Sequence, residues 1–418
     1  MRILLANSYA YPRGGDCLQM LDSARRLRDA GHDVAVFALA HSESEFDEWS
    51  GFWPTDVDFR ADTGAVGKAV LALRSAYSRS VARRLREMVR SFRPDVAHLH
   101  SVQHHLTISA PCELVRLGVP IVWTLHDYRA VCPSTHLLYK AQPCERCARG
   151  RFYRALPLAC KSESVGRTAA AVAESYLARL SGVFAHVDRF VAPSRFLAST
   201  LARMGFDVSR LDVLPNPIQT SSTPQSRGRN EVDVLYVGRL SAEKGCEVLL
   251  RACRSMEGVR LAFVGDGPMM AQLEGYAELH GIDASFVGWQ APEGVRAWMQ
   301  ASRLLCVPSI CYENCPGVVL EGMEAGVPVL ASNRGGLPEL LDNGRCGYLV
   351  EAGVEEAWAV AISSALSDSG DSNHRVASAR ARLQKRHDPQ AHTEALVRIY
   401  CAVSAQSTGI RNDVRRPE

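Results

Sequence analysis

Two carboxylates, Glu313 and Glu321, stand in the run Ser309-Ile-Cys-Tyr-Glu-Asn-Cys-Pro-Gly-Val-Val-Leu-Glu-Gly-Met-Glu-Ala-Gly-Val-Pro-Val329. The spacing hangs one on a loop and the other one turn into a helix that starts near Pro316. Pro and Gly at a helix start leave its first backbone N–H groups unpaired and facing outward. Such an end attracts an anion, a diphosphate for example. An apolar run from Leu304 to Val307 feeds the loop and another, Val327 to Ala331, follows the helix. The carboxylates therefore belong at the carboxyl end of a parallel sheet, where open α/β folds bind ligands.

Arg239 and Lys244 flank a glycine-containing turn just after another apolar run. Two cations there suit a diphosphate and the charge that grows on it as a leaving group, the Arg as a fork and the Lys as a point charge. Gly14 and Gly15 follow the first apolar run and precede a helix starting near Asp16. A glycine pair lets backbone amides come close to a phosphate, although a plain turn uses the same residues. His126 and Asp127 end the run Ile121–Leu125, and Asp127 could orient the imidazole or bind an acceptor. Cys132, Cys144, Cys147 and Cys160 lie in a segment, 128–164, of otherwise low apolar content. The Cys144-Glu-Arg-Cys147 pair has zinc-knuckle spacing, so four thiolates closing a structural zinc site is one expectation. Unrelated reduced cysteines in a mobile acceptor loop is the other. Asp56 and Asp58 fall in a loop insertion rather than at a strand end, and no catalytic divalent metal is expected.

The elements that must position these groups are short β-rich apolar runs alternating with helical stretches from end to end, the pattern of doubly wound parallel sheets. Expected strands are Ile3–Ala6, Val34–Ala38, Val96–His100, Ile121–Leu125 and Arg189–Ala192 in the first half. In the second they are Val234–Val237, Arg260–Val264, Ala284–Val287, Leu304–Val307, Val329–Ala331 and Gly347–Val350. At 418 residues two domains are expected. The polar stretch 220–230 reads as the linker, dividing a domain over 1–215 from one over 231–388. A helix over 389–405 that could cross back onto the first domain and a disordered tail over 406–418 complete the reading. Net charge is uneven: residues 1–218 carry 28 Lys+Arg against 21 Asp+Glu (+7), and 219–418 carry 20 against 24 (−4). A basic first half fits a negatively charged partner. From Val66 to Phe92 apolar residues recur at helical spacing, with Arg79, Arg83, Arg86 and Arg90 on another face. That pattern fits either a core-facing stripe or a helix lying on anionic lipid as a peripheral membrane contact. No nucleic-acid module accompanies the charge. The chain opens directly on a strand with no leader-like or membrane-spanning run, from which a cytoplasmic location with reduced thiols is expected.

The run around Glu313 and Glu321 resembles the retaining GT-B glycosyltransferases of family 4 (glycosyl transferases group 1), in which two glutamates with seven intervening residues grip a nucleotide-sugar. Val213-Leu-Pro-Asn-Pro217, Val237-Gly-Arg-Leu-Ser-Ala-Glu-Lys-Gly245, Val264-Gly-Asp-Gly-Pro268 and Asn333-Arg-Gly-Gly-Leu-Pro-Glu339 resemble that family's other blocks, in its order and spacing. The resemblance implies two Rossmann-like domains facing across a cleft. It gives Arg239 and Lys244 the donor diphosphate and Glu321 the ribose hydroxyls. Glu313 then lies on the sugar side, with Asn314, Pro316, Gly317 and Val318 near the sugar or phosphate. Val287, in Phe286-Val287-Gly288-Trp289, would read the base through backbone groups, and His126 would line the sugar and acceptor. It further implies a front-face transfer in which the leaving phosphate helps deprotonate a hydroxyl acceptor, such as a lipid-linked, isoprenoid-borne or growing surface glycan. A 2-epimerase on the same architecture, or an inactive nucleotide-sugar-binding scaffold, are the alternatives.

Overall fold

The computed structural model describes residues 1–45, 47–55, 77–103, 105–161, 163–219 and 231–413, with side chains through residue 406. The expected linker 220–230, Asp56, Asp58 and the apolar positions from Val66 to residue 76 lie outside the described residues.

In the first half the strands are β1 (Arg2–Ala6), β2 (Asp33–Phe37), β3 (Val96–Leu99), β4 (Ile121–Thr124), a small antiparallel hairpin β5 (Leu138–Tyr139) and β6 (Gln142–Pro143), then β7 (Arg189–Ala192) and β8 (Leu211–Val213). Six of them form an all-parallel sheet in the order β2-β1-β3-β4-β7-β8. Between them run α1 (Gly15–Asp29), α2 (Arg79–Phe92), α3 (Ser109–Arg116), α4 (Val165–Leu180) and α5 (Arg195–Arg203). The second half supplies β9 (Val232–Val237), β10 (Leu261–Val264), β11 (Ala284–Gly288), β12 (Ser302–Val307), β13 (Val329–Ser332) and β14 (Tyr348–Val350), parallel in the order β11-β10-β9-β12-β13-β14. Its helices are α6 (Cys246–Cys253), α7 (Met270–His280), α8 (Pro292–Gln300), α9 (Gly317–Ala325), α10 (Leu337–Leu340), α11 (Glu355–Ser367), α12 (Ser369–Arg386) and α13 (Pro389–Asp413).

Strands covered on both faces read as nearly unbroken apolar runs rather than alternating ones. β1, β4 and β10 obey this, and every residue of β4 and β10 is buried. β8 was not expected as a strand, because its Leu-Asp-Val sequence is short and only half-buried at this sheet edge. In each sheet the strand order reverses beside the first strand, between β1 and β3 and between β9 and β12. Crevices at such switch points are where doubly wound folds hold ligands.

The apolar stripe of α2 faces inward: Val81, Leu85, Met88, Val89 and Phe92 are all buried in the N-terminal core. Arg86 donates to buried Glu113 through Nε (2.7 Å) and Nη2 (3.1 Å), while Arg79, Arg83 and Arg90 are exposed. With its apolar residues already packed against the sheet, α2 has no apolar face left for lipid, and the membrane reading of this helix finds no support. α13 returns to the N-terminal half, where Leu396, Tyr400 and Val403 bury in the same core as β1 and β3. The helix continues to Asp413, past the point at which the sequence reading ended it.

Candidate functional site

β9 and β12 are neighbours at the switch point, and the loops leaving their carboxyl ends carry Lys244 and Glu313. Lys244 Nζ donates to Glu313 Oε1 at 2.6 Å, and Ser309 Oγ donates to the same oxygen at 2.5 Å. Glu313 Oε2 has no partner among the described residues. Burial pushes the Glu313 carboxyl up, but the Lys244 charge and bond outweigh it and the pKa falls below the ordinary value. Desolvation likewise lowers the Lys244 pKa, and Glu313 more than reverses this. The pair is therefore fully ionised at neutral pH.

Glycines make this geometry possible by letting backbones touch. A Cβ on Gly245, whose φ is +71°, would sit 2.0 Å from the Pro308 carbonyl oxygen. One on Gly336 would sit 2.0 Å from the Asn314 carbonyl oxygen. Gly336 N instead donates to Glu313 O at 2.7 Å. The turn after β9 and the Gly335-Gly336 pair thus clamp the Glu313 loop from two sides.

Pro316 is the N-cap of α9 and supplies no side-chain bond, so the amides of Gly317 and Val318 are left uncapped, while Val319 N donates to the Pro316 carbonyl at 3.2 Å. Glu321 Oε1 lies 3.4 Å from where a Gly317 Cβ would be, placing the carboxylate over the helix start. It has no hydrogen-bond partner among the described residues. Desolvation raises its pKa, with Arg296 pulling the other way. Arg239 is exposed and its guanidinium has no ion-pair partner among the described residues, while its carbonyl accepts from Tyr236 Oη at 2.7 Å. Val287 lies near the end of β11, at a register shift against β10. Trp289, two residues further on, is 64% exposed.

The N-terminal half contributes the uncapped start of α1, where Gly14 is extended (φ −169°) and a Cβ on Gly15 would meet nothing within 4 Å. His126 follows β4 and is tied to the opposite half by Asn314 Nδ2, which donates to the His126 carbonyl at 3.3 Å. Asn314 Oδ1 accepts from Ser194 Oγ at 2.5 Å. Asp127 does not hold the imidazole. Its carboxylate accepts from Arg129 N at 2.8 Å, and the ring is bonded by His100 Nδ1 at 2.9 Å. A second tie joins the halves: Glu339 accepts from Arg195 N (3.1 Å) and Phe196 N (2.9 Å), capping α5 together with Ser194.

Sequence reasoning missed His100, which stands in an apolar strand pattern, and His136, whose imidazole lies in the field of Glu243, Lys244 and Glu313. His136 belongs to the cysteine-bearing loop, and this loop reaches the other half, where Arg334 Nη1 approaches the Ala141 carbonyl at 3.5 Å. Cys132 and Cys147 are buried, Cys144 and Cys160 half-buried, and all four thiols are free. Burial raises the pKa of Cys132 and Cys160 and pushes Cys147 up to about 12. Among the described residues no group of three or more His, Cys, Asp or Glu side chains could hold a metal ion, and the expected four-cysteine zinc site is not seen. The loop has apolar packing of its own: Tyr128, Val131, Leu137, Phe152 and Ala155 bury with Cys132 and Cys147 in the N-terminal core. No helix among the described residues is long and apolar enough to cross a membrane.

Two doubly wound domains, each built on an all-parallel six-stranded sheet, are the architecture of the GT-B class. Residues 18–222 match the family model described as Glycosyltransferase Family 4, and residues 231–368 the one described as Glycosyl transferases group 1. A glycogen synthase of Mycobacterium tuberculosis is 28% identical over 429 aligned positions, covering 96% of this chain and 95% of its own. A D-inositol 3-phosphate glycosyltransferase of Rhodococcus jostii is 34% identical over 45% of this chain and 47% of its own. Among solved structures, Anabaena HepE in complex with UDP and glucose superposes with a TM-score of 0.68 at 20% identity, covering 96% of this chain and 100% of that one. The chain belongs to the family 4, group 1 glycosyltransferases and is a glycosyltransferase enzyme.

Proposed function

We propose that this enzyme transfers a sugar, with retention of anomeric configuration, from a nucleotide diphosphate sugar to a hydroxyl acceptor. The observation that carries the reading is the Lys244–Glu313 pair, 2.6 Å apart, beside the uncapped start of α9. Such a corner supplies what a diphosphate needs: a cation already held in place, outward amides and a helix dipole of the right sign. Arg239, with no carboxylate partner among the described residues, is the second cation. Glu321 has a desolvated carboxylate and no donor among the described residues, which suits two ribose hydroxyls. Glu313 Oε2 suits a sugar hydroxyl. Gly14 and Gly15 bring the start of α1 toward the phosphate, Asn314 to Val318 lie along the sugar and phosphate, and the backbone at Val287 meets the base. His126 lines the sugar and acceptor. The UDP and glucose of HepE support a nucleotide-sugar donor here. Relatives described as acting in colanic acid biosynthesis and on phosphatidyl-myo-inositol favour a surface-glycan or lipid-linked acceptor.

No carboxylate nucleophile is assigned in this reading. Front-face transfer asks the protein to stabilise the leaving group and hold geometry, and the departing phosphate takes the acceptor proton. The test is a melting-temperature panel with UDP-, GDP-, ADP- and dTDP-sugars, since only a ligand of the folded state raises it. One donor class should stabilise the enzyme, and Lys244→Ala should abolish both that shift and donor turnover. No stabilisation by any of them, or an inverted product anomer, would refute the proposal. Conversion of donor to its epimer without acceptor would make the chain an epimerase.

A further inference from the structure

Three histidines stand in file inside the N-terminal half, and the transfer reaction as described uses only the last. His98 and the adjoining His100 are two residues apart along β3 and its end, so they point to the same side. Their rings are 4.3 Å apart, and the His100 and His126 rings stack at 5.2 Å with planes 20° apart. His98 is satisfied on both nitrogens, Nδ1 by Tyr400 Oη at 2.6 Å and Nε2 by Thr124 Oγ1 at 2.7 Å. His100 is anchored through its carbonyl, which accepts from Trp123 Nε1 at 2.9 Å. Its Nδ1 meets His126 Nε2 at 2.9 Å, whereas its Nε2 is enclosed and has no partner among the described residues.

Between two neutral imidazoles one nitrogen must donate and the other accept. If His126 donated, His100 would accept through Nδ1 and carry its own proton on Nε2. That would leave a buried N–H without an acceptor, the rarer and costlier kind of orphan. If His100 donates from Nδ1, its enclosed Nε2 is only a bare lone pair. The second arrangement is favoured, and it fixes the neighbour too. His126, accepting at Nε2, carries its proton on Nδ1, the nitrogen that the protein leaves unbonded and unburied among the described residues.

We infer that His100 is a positioning residue that holds His126 in the Nδ1–H tautomer, so that His126 offers the cleft a hydrogen-bond donor and not a base. In this state Nδ1 already has its proton and the Nε2 lone pair is occupied. His126 therefore donates to an oxygen of the sugar or of the leaving phosphate, and takes no proton from the acceptor. The inference rests on the reading that His126 lines the sugar, and it deepens that reading by giving the imidazole a polarity.

Long-range 1H–15N correlation spectra of the 15N-histidine-labelled enzyme read the tautomer directly, with the His126 signals assigned by their loss in His126→Asn. The expected result is a neutral His126 protonated at Nδ1. Transfer is then measured with the donor selected by the melting panel. His100→Asn keeps an N–H near the Nδ1 position and should retain kcat within about threefold. His100→Leu removes the donor and should lower kcat roughly tenfold, the scale of one hydrogen bond, with donor KM little changed. A His126 protonated at Nε2 in the wild type overturns the inference. So does equal impairment of the Asn and Leu variants when both melt like the wild type. If the tautomer is as stated but His126→Ala transfers normally, the sugar-site reading fails and the tautomer stands.

Discussion

Replacing Lys244 by Met removes the positive member of the central pair and keeps most of its volume. Glu313 is left with Ser309 Oγ as its donor, on a side chain only 11% exposed. Breaking a buried pair by deleting one partner costs about 3–5 kcal/mol. Lys244 is itself 33% exposed and Ser309 still bonds, so a cost of about 2–3 kcal/mol is expected here. For a domain of this size that corresponds to a fall in melting temperature of roughly 5–10 °C. The pH dependence is more telling than the size. In the wild type the Glu313 pKa is lowered in the fold. Its contribution to stability is therefore complete above the ordinary carboxylate pKa and is lost as pH falls through the lowered value. Without Lys244, burial is opposed only by the Ser309 bond and the weaker field of His136, so the pKa is expected to rise above the ordinary value and the sign to reverse. The variant is then most stable below the ordinary carboxylate pKa and loses stability as pH rises through the raised one. Differential scanning calorimetry at pH 5 and pH 8 should show the deficit against wild type growing toward pH 8. A Lys244→Met protein melting within about 1 °C of wild type at neutral pH, or with a deficit independent of pH, would refute the ion-pair argument.

Glu321→Leu should leave the unliganded melting temperature unchanged or higher, because the fold already disfavours this charge, while weakening donor binding by roughly tenfold to a hundredfold in a titration, the scale of one or two hydrogen bonds to a charged group. Glu339→Ala removes one of the two caps of α5, leaving Ser194, and should cost about 0.5–2 kcal/mol, read by urea unfolding. Native-state proteolysis of the same variant should cut near Arg195 faster than in wild type. Tyr400→Phe leaves His98 Nδ1 without its partner and should cost about 1–2 kcal/mol, with faster hydrogen exchange across β3 and the last helix.

The sheets were legible because fully covered parallel strands are continuous apolar runs, and the start of α9 was legible because Pro316-Gly317 is a strong local mark. The hairpin β5–β6 was not, because its two turn residues, Lys140 and Ala141, hold positive φ without the Gly or Asn that announces such turns. The Lys244–Glu313 contact joins positions 69 residues apart. Spacing alone placed both at the carboxyl end of one sheet, and the order of β9 beside β12 made them touch. Asp127 looked like the partner of His126 because it is adjacent in sequence. The actual partner, His100, comes from the neighbouring strand and carries no local mark. The four cysteines were read for metal because their spacing is visible, whereas the packing of Leu137, Phe152 and Ala155 around them is a tertiary property.

The last helix has a consequence for how the enzyme is made. Leu396, Tyr400 and Val403 complete a core whose other members are translated first, and Tyr400 also satisfies a histidine on a central strand. A nascent N-terminal half therefore waits on the ribosome with an open seam along β3 and β4 until the second half has emerged. Synthesis of the whole chain becomes the condition for sealing its beginning. A polypeptide released before residue 389 would carry a stretch of greasy, unsealed surface that chaperones and proteases can sense.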